Sequence, residues 1–297
     1  MRLTQYVAHP GLLAGKLRWQ MLYAGKRRDV TVDTWNGRLT FDSRDKLIGK
    51  YLYVQRAYER RYIERALAAL ERDGWLTRGG TLLDVGANIG MICIALLKHG
   101  WCARAIAFEP APANVRLLDH NIAQNGLSGQ IERHPIALSS SDGEMELELS
   151  DYNSGDNRLR SPNGGSAGVW HEDRRATVRV PVRRLDDVLA AQPADASAVR
   201  LIWLDIQGHE GQFFEGARET IGRGVPVVSE FWPYGILRSG ISRASYLRTV
   251  SDLFTHVYVL AGERIERAPV ASIDPLFDEC AAPKAMREVV FVRERRS

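Results

Sequence analysis

The sequence predicts an α/β fold: a doubly wound, mostly parallel seven-stranded sheet with helices on both faces. Three observations carry this. From residue 80 onward, short apolar runs alternate with segments of helical period, the pattern of parallel strands joined by crossover helices. The runs are nearly continuous in Val, Ile, Leu and Ala, as strands buried on both faces require. One of them, "LLDVGANIG" at 82–90, interrupts what otherwise reads as core with Asp84, Gly86, Asn88 and Gly90.

The elements follow in order. Segment 11–28, "GLLAGKLRWQMLYAGKRR", is basic and sets Leu13, Leu17, Met21 and Trp19 at helical spacing. It reads first as a helix packed on the main domain, but a basic amphipathic helix also suits an acidic membrane surface. "DVTVDTWNGRLTFDS" alternates about Asn36-Gly37, a hairpin signal. "YVQRAYERRYIERALAALERDG" reads as one amphipathic helix stopped by Gly74. Residues 1–76 are therefore expected as an α/β extension ahead of a domain at 77–297. In that domain "TLLDVGA", "ARAIAFEP", "QIERHPIALS", "VRLIWLDIQ" and "VPVVSEFWP" supply five strands. "HVYVLAG" and "EVVFVRE" supply two more, expected as an antiparallel edge. Residues 139–180 break the rhythm. Their runs "GEMELELS" and "ATVRVPV" predict a β-hairpin flanking a long loop, inserted between strands 3 and 4 near the C-terminal edge of the sheet. A long loop inside a compact domain is usually functional or disordered.

The net charge of +4 over 297 residues gives no footprint for a nucleic acid. No stretch is long and apolar enough to span a bilayer, and no signal-peptide core precedes His9 and Pro10. Cys93, Cys102 and Cys280 have no metal-type spacing. These features predict a reduced, cytoplasmic protein. Self-association is a further expectation.

Ligands of open α/β sheets bind outside the C-terminal ends of the strands, where the interruption falls. Gly86 permits a tight turn, Gly90 lets the helix pack on the strand, and N–H groups at the helix start favour an anionic ligand group. The second strand ends at Glu109, and an acid about 20 residues after a glycine turn commonly grips a ribose diol. A dinucleotide site uses G-x-G-x-x-G. Here Asn88 replaces the middle glycine and Asp84 precedes the turn. An acid at that place repels a pyrophosphate and suits a sulfonium or amine, which points to S-adenosylmethionine (SAM).

These residues resemble a class I, Rossmann-like, SAM-dependent methyltransferase, and specifically the FkbM-type family. The resemblance lies in "LLDVGANIG", "AFEPAPANVRLLDHNIAQNG", "HPIALSSSDGEMEL", "VPVRRLDDVL", "LIWLDIQGHEGQFFEGA" and "VVSEFWP", in family order over roughly residues 58–235. It implies O-methylation of a small hydroxylated acceptor, most often a sugar or sugar-bearing metabolite. The family's fourth-strand motif commonly reads Asp-x-Glu-Gly-x-Glu. Here it is Asp205-Ile-Gln207-Gly208-His209-Glu210, so one carboxylate is missing and a divalent metal site is disfavoured.

A hydroxyl nucleophile needs its proton removed, and general-base catalysis typically contributes about 10²–10⁴-fold. His209 or Asp205 is expected as the base, with Glu230 binding acceptor hydroxyls. Cofactor contacts are expected from Asp84, Gly86, Asn88, Gly90 and Glu109, from His134 and Ala137 on the third strand, and from Asp142 in a Ser-rich turn, the last toward the adenine amino group. In "NSGDNR", Asn153, Asp156, Asn157 and Arg158 are expected to meet the acceptor as a lid closes. Trp170, His171, Trp232 and Tyr234 could offer aromatic platforms to a sugar face. Two other classes share the sheet. One is a nucleic-acid or other N-methyltransferase, superficially suggested by "FWPY" at 231–234, although that motif normally follows the fourth strand. The other is a non-catalytic SAM-binding protein.

Overall fold

The computed structural model describes residues 10–161, 172–191, 197–262 and 264–294. Helix α1 (Pro10–Ala24) leads into a hairpin of β1 (Asp29–Thr34) and β2 (Gly37–Asp42); the hairpin forms as expected, but its turn residues are Trp35 and Asn36, one position earlier, and Gly37 already pairs with Thr34. Gly37 has φ +130°, a backbone value open to glycine. The buried Asn36 amide ties the hairpin to the sheet domain, donating to the carbonyls of Tyr58 and Met91.

The single helix expected over 53–74 is two: α2 (Ile48–Gln55) and α3 (Arg60–Arg72). Arg56 (φ +56°) and Glu59 (φ +51°) take left-handed backbone between them. That break, invisible to periodicity, turns Tyr58 and Glu59 toward the functional cavity.

The main sheet begins with β3 (Thr81–Val85), α4 (Met91–Lys98), β4 (Arg104–Phe108), α5 (Pro112–Gln124) and β5 (Ile131–His134). The chain then leaves for a smaller sheet of β6 (Ala137–Leu138), β7 (Gly143–Glu148), β8 (Arg158–Leu159) and β9 (Thr177–Arg183), ordered β6-β9-β7-β8. The antiparallel pair β7/β9 is the predicted hairpin. After α6 (Leu185–Ala190) the main sheet resumes with β10 (Val199–Leu204), α7 (Glu210–Gly216), α8 (Arg218–Gly222), β11 (Val227–Phe231), α9 (Pro233–Arg238) and α10 (Arg243–Leu253). It ends with β12 (His256–Ala261), β13 (Arg264–Pro269), α11 (Ile273–Glu279) and β14 (Arg287–Val292).

The main sheet has eight strands rather than seven, ordered β13-β12-β14-β11-β10-β3-β4-β5. β11, β10, β3, β4 and β5 run parallel, and β12, β13 and β14 form the antiparallel edge. The unpredicted strand is β13. It lies at the rim and carries Arg264, Glu266 and Arg267, charges that blunt an exposed edge but hide it from an apolar scan.

Side-chain alternation divides the core. Leu82, Ala105, Ala107, Leu201, Trp203 and Val228 face one side, and the extension adds Trp19, Leu39, Phe41 and Leu52 to the same apolar cluster. Leu83, Ile106, Ile202, Leu204 and Val227 face the other, under Phe213, Phe214, Tyr246 and Val250. From β3 the chain winds outward to β4 and β5, then returns to β10 on the other flank. The junction of β3 and β10 is thus a topological switch point, where a crevice opens at the strand ends. Among the described residues no helix is long and apolar enough to cross a membrane.

Candidate active site

At that switch point lies a cavity of about 420 Å³, within the roughly 300–1,000 Å³ of small-molecule sites. Its floor is the turn after β3. Gly86 has φ +87°, and a Cβ added there would sit 1.9 Å from the Asp205 carbonyl oxygen, so only glycine lets the ends of β3 and β10 meet. Asn88 also takes left-handed backbone, φ +51°. Asp84 is 1% exposed, and its Oδ2 accepts from the Cys93 N–H at 2.9 Å. The acid that breaks the apolar run therefore anchors the start of α4 while also bordering the cavity, and burial pushes its carboxyl up to about 6.

Glu109, just beyond β4, faces the same turn. Its Oε2 accepts from the Asn88 N–H at 2.9 Å, and its Oε1 accepts from the Ala111 N–H at 2.8 Å and the Asn114 amide at 3.3 Å. Burial raises its pKa to about 7, although those donors pull the other way. A carboxylate offers about four lone-pair positions, so the fixed Glu109 retains capacity for a ribose hydroxyl. The residues present fit SAM: a glycine floor that a Cβ would fill, an oriented acid at the ribose distance along the chain, and apolar walls from Ile136, Ala137 and Leu138.

Three residues expected at the cofactor, His134, Asp142 and Gly90, stand outside the cavity lining. β5 stops at His134, before Pro135, and the chain crosses into the smaller sheet. His134 instead stacks on Phe108, with ring centroids 5.2 Å apart, and its Nε2 bonds Glu132 at 2.7 Å. Asp142 sits outside on an exposed turn, accepting from the Arg184 N–H at 2.9 Å. Gly90 (φ +93°) acts through packing, since a Cβ there would meet Leu118 and Ile94 below 3 Å.

The far end of the cavity is acidic. Asp205 follows β10, and Gln207 (φ +54°) donates from Nε2 to Asp205 Oδ1 at 2.7 Å and to Glu230 Oε2 at 3.3 Å. Glu288 on β14 pairs directly with Glu230 across the sheet. Glu59 arrives from the α2–α3 break. Sequence patterning does not point to Glu59 or Glu288. For Glu288 the available signal is a charge opening the apolar strand "EVVFV"; for Glu59 there is none. Burial raises both Asp205 and Glu230, Glu230 well above the usual range because Asp205 and Glu59 add their charge. Among the described residues, three of the four non-glycine residues with positive φ, Glu59, Asn88 and Gln207, line this cavity. Strain of that kind concentrates at functional sites.

Glu59 is exposed to solvent where it meets the cavity; desolvation by the protein around it, followed by the charges of Asp205 and Glu288, raises its pKa toward about 8, a rise that solvent access reduces. An acid raised on folding binds more protons folded than unfolded between its two pKa values, so stability falls as pH climbs through that interval. Glu59→Gln is therefore expected to raise the melting temperature progressively from about pH 5 to pH 9 relative to the parent chain. A constant difference across that range, read by scanning calorimetry, would contradict the assignment.

His209 precedes α7, borders the cavity and is 5% exposed. Its Nε2 shares a hydrogen bond of 2.9 Å with Ser139 Oγ, and burial pushes its pKa down to about 4. Glu210 holds the loop from within, Oε1 accepting from the Gly208 N–H at 3.2 Å.

The insertion closes the cavity from above. Asn153, Asp156, Asn157 and Arg158 all line it. Ser154 binds Asp45 Oδ2 through its hydroxyl at 2.6 Å, and its carbonyl accepts from Asn114 at 3.0 Å. The loop is thereby fastened to both the extension and α5. Asp156 and Arg158, expected as acceptor contacts, spend their charges internally. Arg158 donates to Asp156 at 2.7 Å and to Glu172 at 2.9 Å, and Arg175 also pairs with Asp156. Such buried pairing is costly to break from one side. Arg158 lies 4.5 Å over the Trp232 ring, and Trp232 Nε1 donates to the Pro283 carbonyl at 2.7 Å. Trp232 therefore borders the cavity with one face engaged. Tyr234 donates to Glu172 at 3.0 Å and is not part of the lining. Trp170 and His171 lie outside the described residues. Among those described, no group of three or more His, Cys, Asp or Glu is arranged to hold a metal.

The chain has recognisable relatives. Residues 84–248 match the family described as the methyltransferase FkbM domain. Methyltransferase sdnD of Sordaria araneosa is 29% identical over 175 residues, 52% of this chain and 68% of that protein. The 2-O-methyltransferase NoeI of Sinorhizobium fredii is 28% identical over 162 residues, 50% of this chain and 62% of that protein. The chain thus spans less than two thirds of the length of NoeI. Among solved structures, methyltransferase FkbM from Methylobacillus flagellatus KT aligns at 14% identity and a TM-score of 0.44, covering 95% of this chain and 59% of that one.

Proposed function

The chain belongs to the FkbM methyltransferase family, whose cofactor is SAM, and on that premise we propose an O-methyltransferase acting on a hydroxyl of a small polar acceptor, a sugar or glycosylated metabolite. When bound, SAM supplies an electrophilic methyl group on a sulfonium. Asp84, Gly86, Asn88 and Glu109 form its seat. The observation that carries the reading is the Asp205–Gln207–Glu230 clamp in the same cavity.

Gln207 contributes an N–H where a third acid would stand, and donates more closely to Asp205 than to Glu230. Two neighbouring acids in unequal surroundings separate into an acid and a base. Asp205, held by the amide, is the anion that takes the acceptor's proton. Glu230, pushed further up, keeps its proton and fixes the acceptor by hydrogen bonding. His209 is a positioning residue in this arrangement, neutral at physiological pH and tied to Ser139. The 2-O-methyltransferase name of NoeI supports a hydroxyl acceptor. Three buried cysteines without disulfides are in keeping with a cytoplasmic setting.

The test is a screen of glycosides and nucleotide sugars with methyl-labelled SAM. Label is expected in an ether on one hydroxyl class, with turnover strongly reduced in Asp205→Asn and Glu230→Gln and reduced less in His209→Ala. Full turnover in all three variants on the preferred acceptor would remove the catalytic assignment. Label transferred to nitrogen would remove the acceptor class.

A further inference from the structure

Helix α1 is apolar on two sides. One side is inside the protein: Trp19 is 4% exposed, with ring centroids 6.2 Å from Phe41 and 5.7 Å from Tyr53. The other is bare. Leu13, Leu17 and Met21 are 50%, 55% and 69% exposed, and their four-residue spacing stacks them along one stripe. Holding the helix to the domain does not need that stripe. Leu47 and Tyr51, at the start of the adjoining α2, are also exposed.

The charge around the stripe is one-sided. Residues 10–56 contain ten lysines and arginines against four acids, one of which, Asp42, pairs with Arg27, in a chain with 40 basic and 36 acidic residues overall. The remainder is therefore net acidic, and the positive charge of the molecule is gathered here. Asp45 is buried and engaged with the Leu47 and Gly49 N–H groups and with Ser154. On a helical wheel Lys16 and Arg18 flank the stripe from opposite sides. Lys16, Lys46 and Lys50 meet in one surface recess with Tyr23.

We infer that this face docks on an anionic lipid surface, with Leu13, Leu17 and Met21 entering the interface and the flanking cations meeting headgroup phosphates. The helix as a whole is not strongly one-sided, since Trp19 packs inward; its exposed side alone carries the apolar stripe bordered by lysine and arginine that an interfacial contact uses. At 15 residues and about 1.5 Å per residue, α1 falls short of the roughly 30 Å bilayer core, so it lies on the surface rather than crossing it. A second copy of the chain is a poor occupant, because a two-fold contact would press two basic faces together. Leu47 and Ile48 also border the cavity, so docking holds the cavity mouth close to the membrane.

The experiment is co-sedimentation of the full chain with phosphatidylcholine vesicles, with and without phosphatidylglycerol, at low and high salt. Binding is expected only to the anionic vesicles and is expected to weaken with salt. Each Lys or Arg near such a surface contributes about fivefold in partitioning. Lys16→Gln/Arg18→Gln should therefore lose about 25-fold at low salt. Leu17→Gln/Met21→Gln should lose at least tenfold, on the order of the lost apolar burial, at either salt. Turnover of a soluble acceptor should be unchanged in both, since neither pair touches the cavity. Absence of binding to anionic vesicles, or equal binding by parent and variants, would overturn the inference. So would a dimer in sedimentation velocity that Leu17→Gln/Met21→Gln abolishes, which would assign the stripe to a second copy.

Discussion

Gly86→Ala is expected to abolish SAM binding and to lower the melting temperature by about 5–15 °C. Two independent costs converge on this position. The backbone φ of +87° is strained for any residue with a Cβ, a cost of about 1–2 kcal/mol. The added methyl would also stand 1.9 Å from the Asp205 carbonyl oxygen and 2.9 Å from its carbonyl carbon. Those atoms are backbone at the end of a central strand, so no rotamer change relieves the contact. Relief requires the ends of β3 and β10 to separate, at a further cost of roughly 1–3 kcal/mol. The separation also displaces Asn88, whose N–H orients Glu109. Gly126→Ala is the control. Gly126 has φ +73°, but a methyl added there meets nothing within 4 Å. It therefore carries strain without a clash and should lose about 1–2 kcal/mol while SAM still binds. Calorimetric titration and thermal melts decide the matter. Parental SAM affinity in Gly86→Ala would show that the two loops are not held as described.

What is legible in the sequence follows from which interactions are local. The turn at Gly86 and the acid at Glu109 are written within a few residues of themselves and stand where the sequence puts them, while the hairpin forms with its turn one residue earlier, at Trp35-Asn36. The parallel strands are legible because burial on both faces leaves continuous apolar runs. β13 is not, because an edge strand is selected for charge. Composition overextends the third strand. Its run continues past Pro135, but the chain changes sheets there, and Asp142 stands outside the cavity lining. Asp156 and Arg158 show something spacing does not carry. They do line the cavity, but their partners Arg175 and Glu172 lie 19 and 14 residues away, and nothing in the spacing announces that the charges are already matched. Glu59 is the most instructive case. Its place in the site depends on two left-handed residues that break a segment with good helical period, and on packing of the extension against the sheet domain.

Asp205→Asn is expected to lower kcat by about 10²–10⁴-fold, the usual contribution of a general base, while SAM affinity changes little. The substitution keeps size and shape and removes only the charge, so the seat at Gly86 and Glu109 is untouched. The pH dependence separates a base from a merely structural carboxylate. Burial raises Asp205, and Gln207 opposes that rise with its N–H. Below the raised value Asp205 is protonated and cannot accept the acceptor's proton, so kcat/KM should increase with pH through a midpoint above the ordinary aspartate range near 3.9. Glu230 lies higher, and losing its proton places two anions beside one another and removes the donor that fixes the acceptor. The rate should therefore fall again on the alkaline side, giving a bell whose limbs belong to the coupled pair rather than to either residue alone. In Asp205→Asn the acidic limb should vanish along with most of the rate. In Gln207→Glu, which restores the acid common at this place in the family, a third negative charge should displace both limbs upward, since like charges disfavour ionisation. An Asp205→Asn variant that retained the acidic limb at parental turnover would move the base elsewhere in the cavity, with Glu59 the next carboxylate to test.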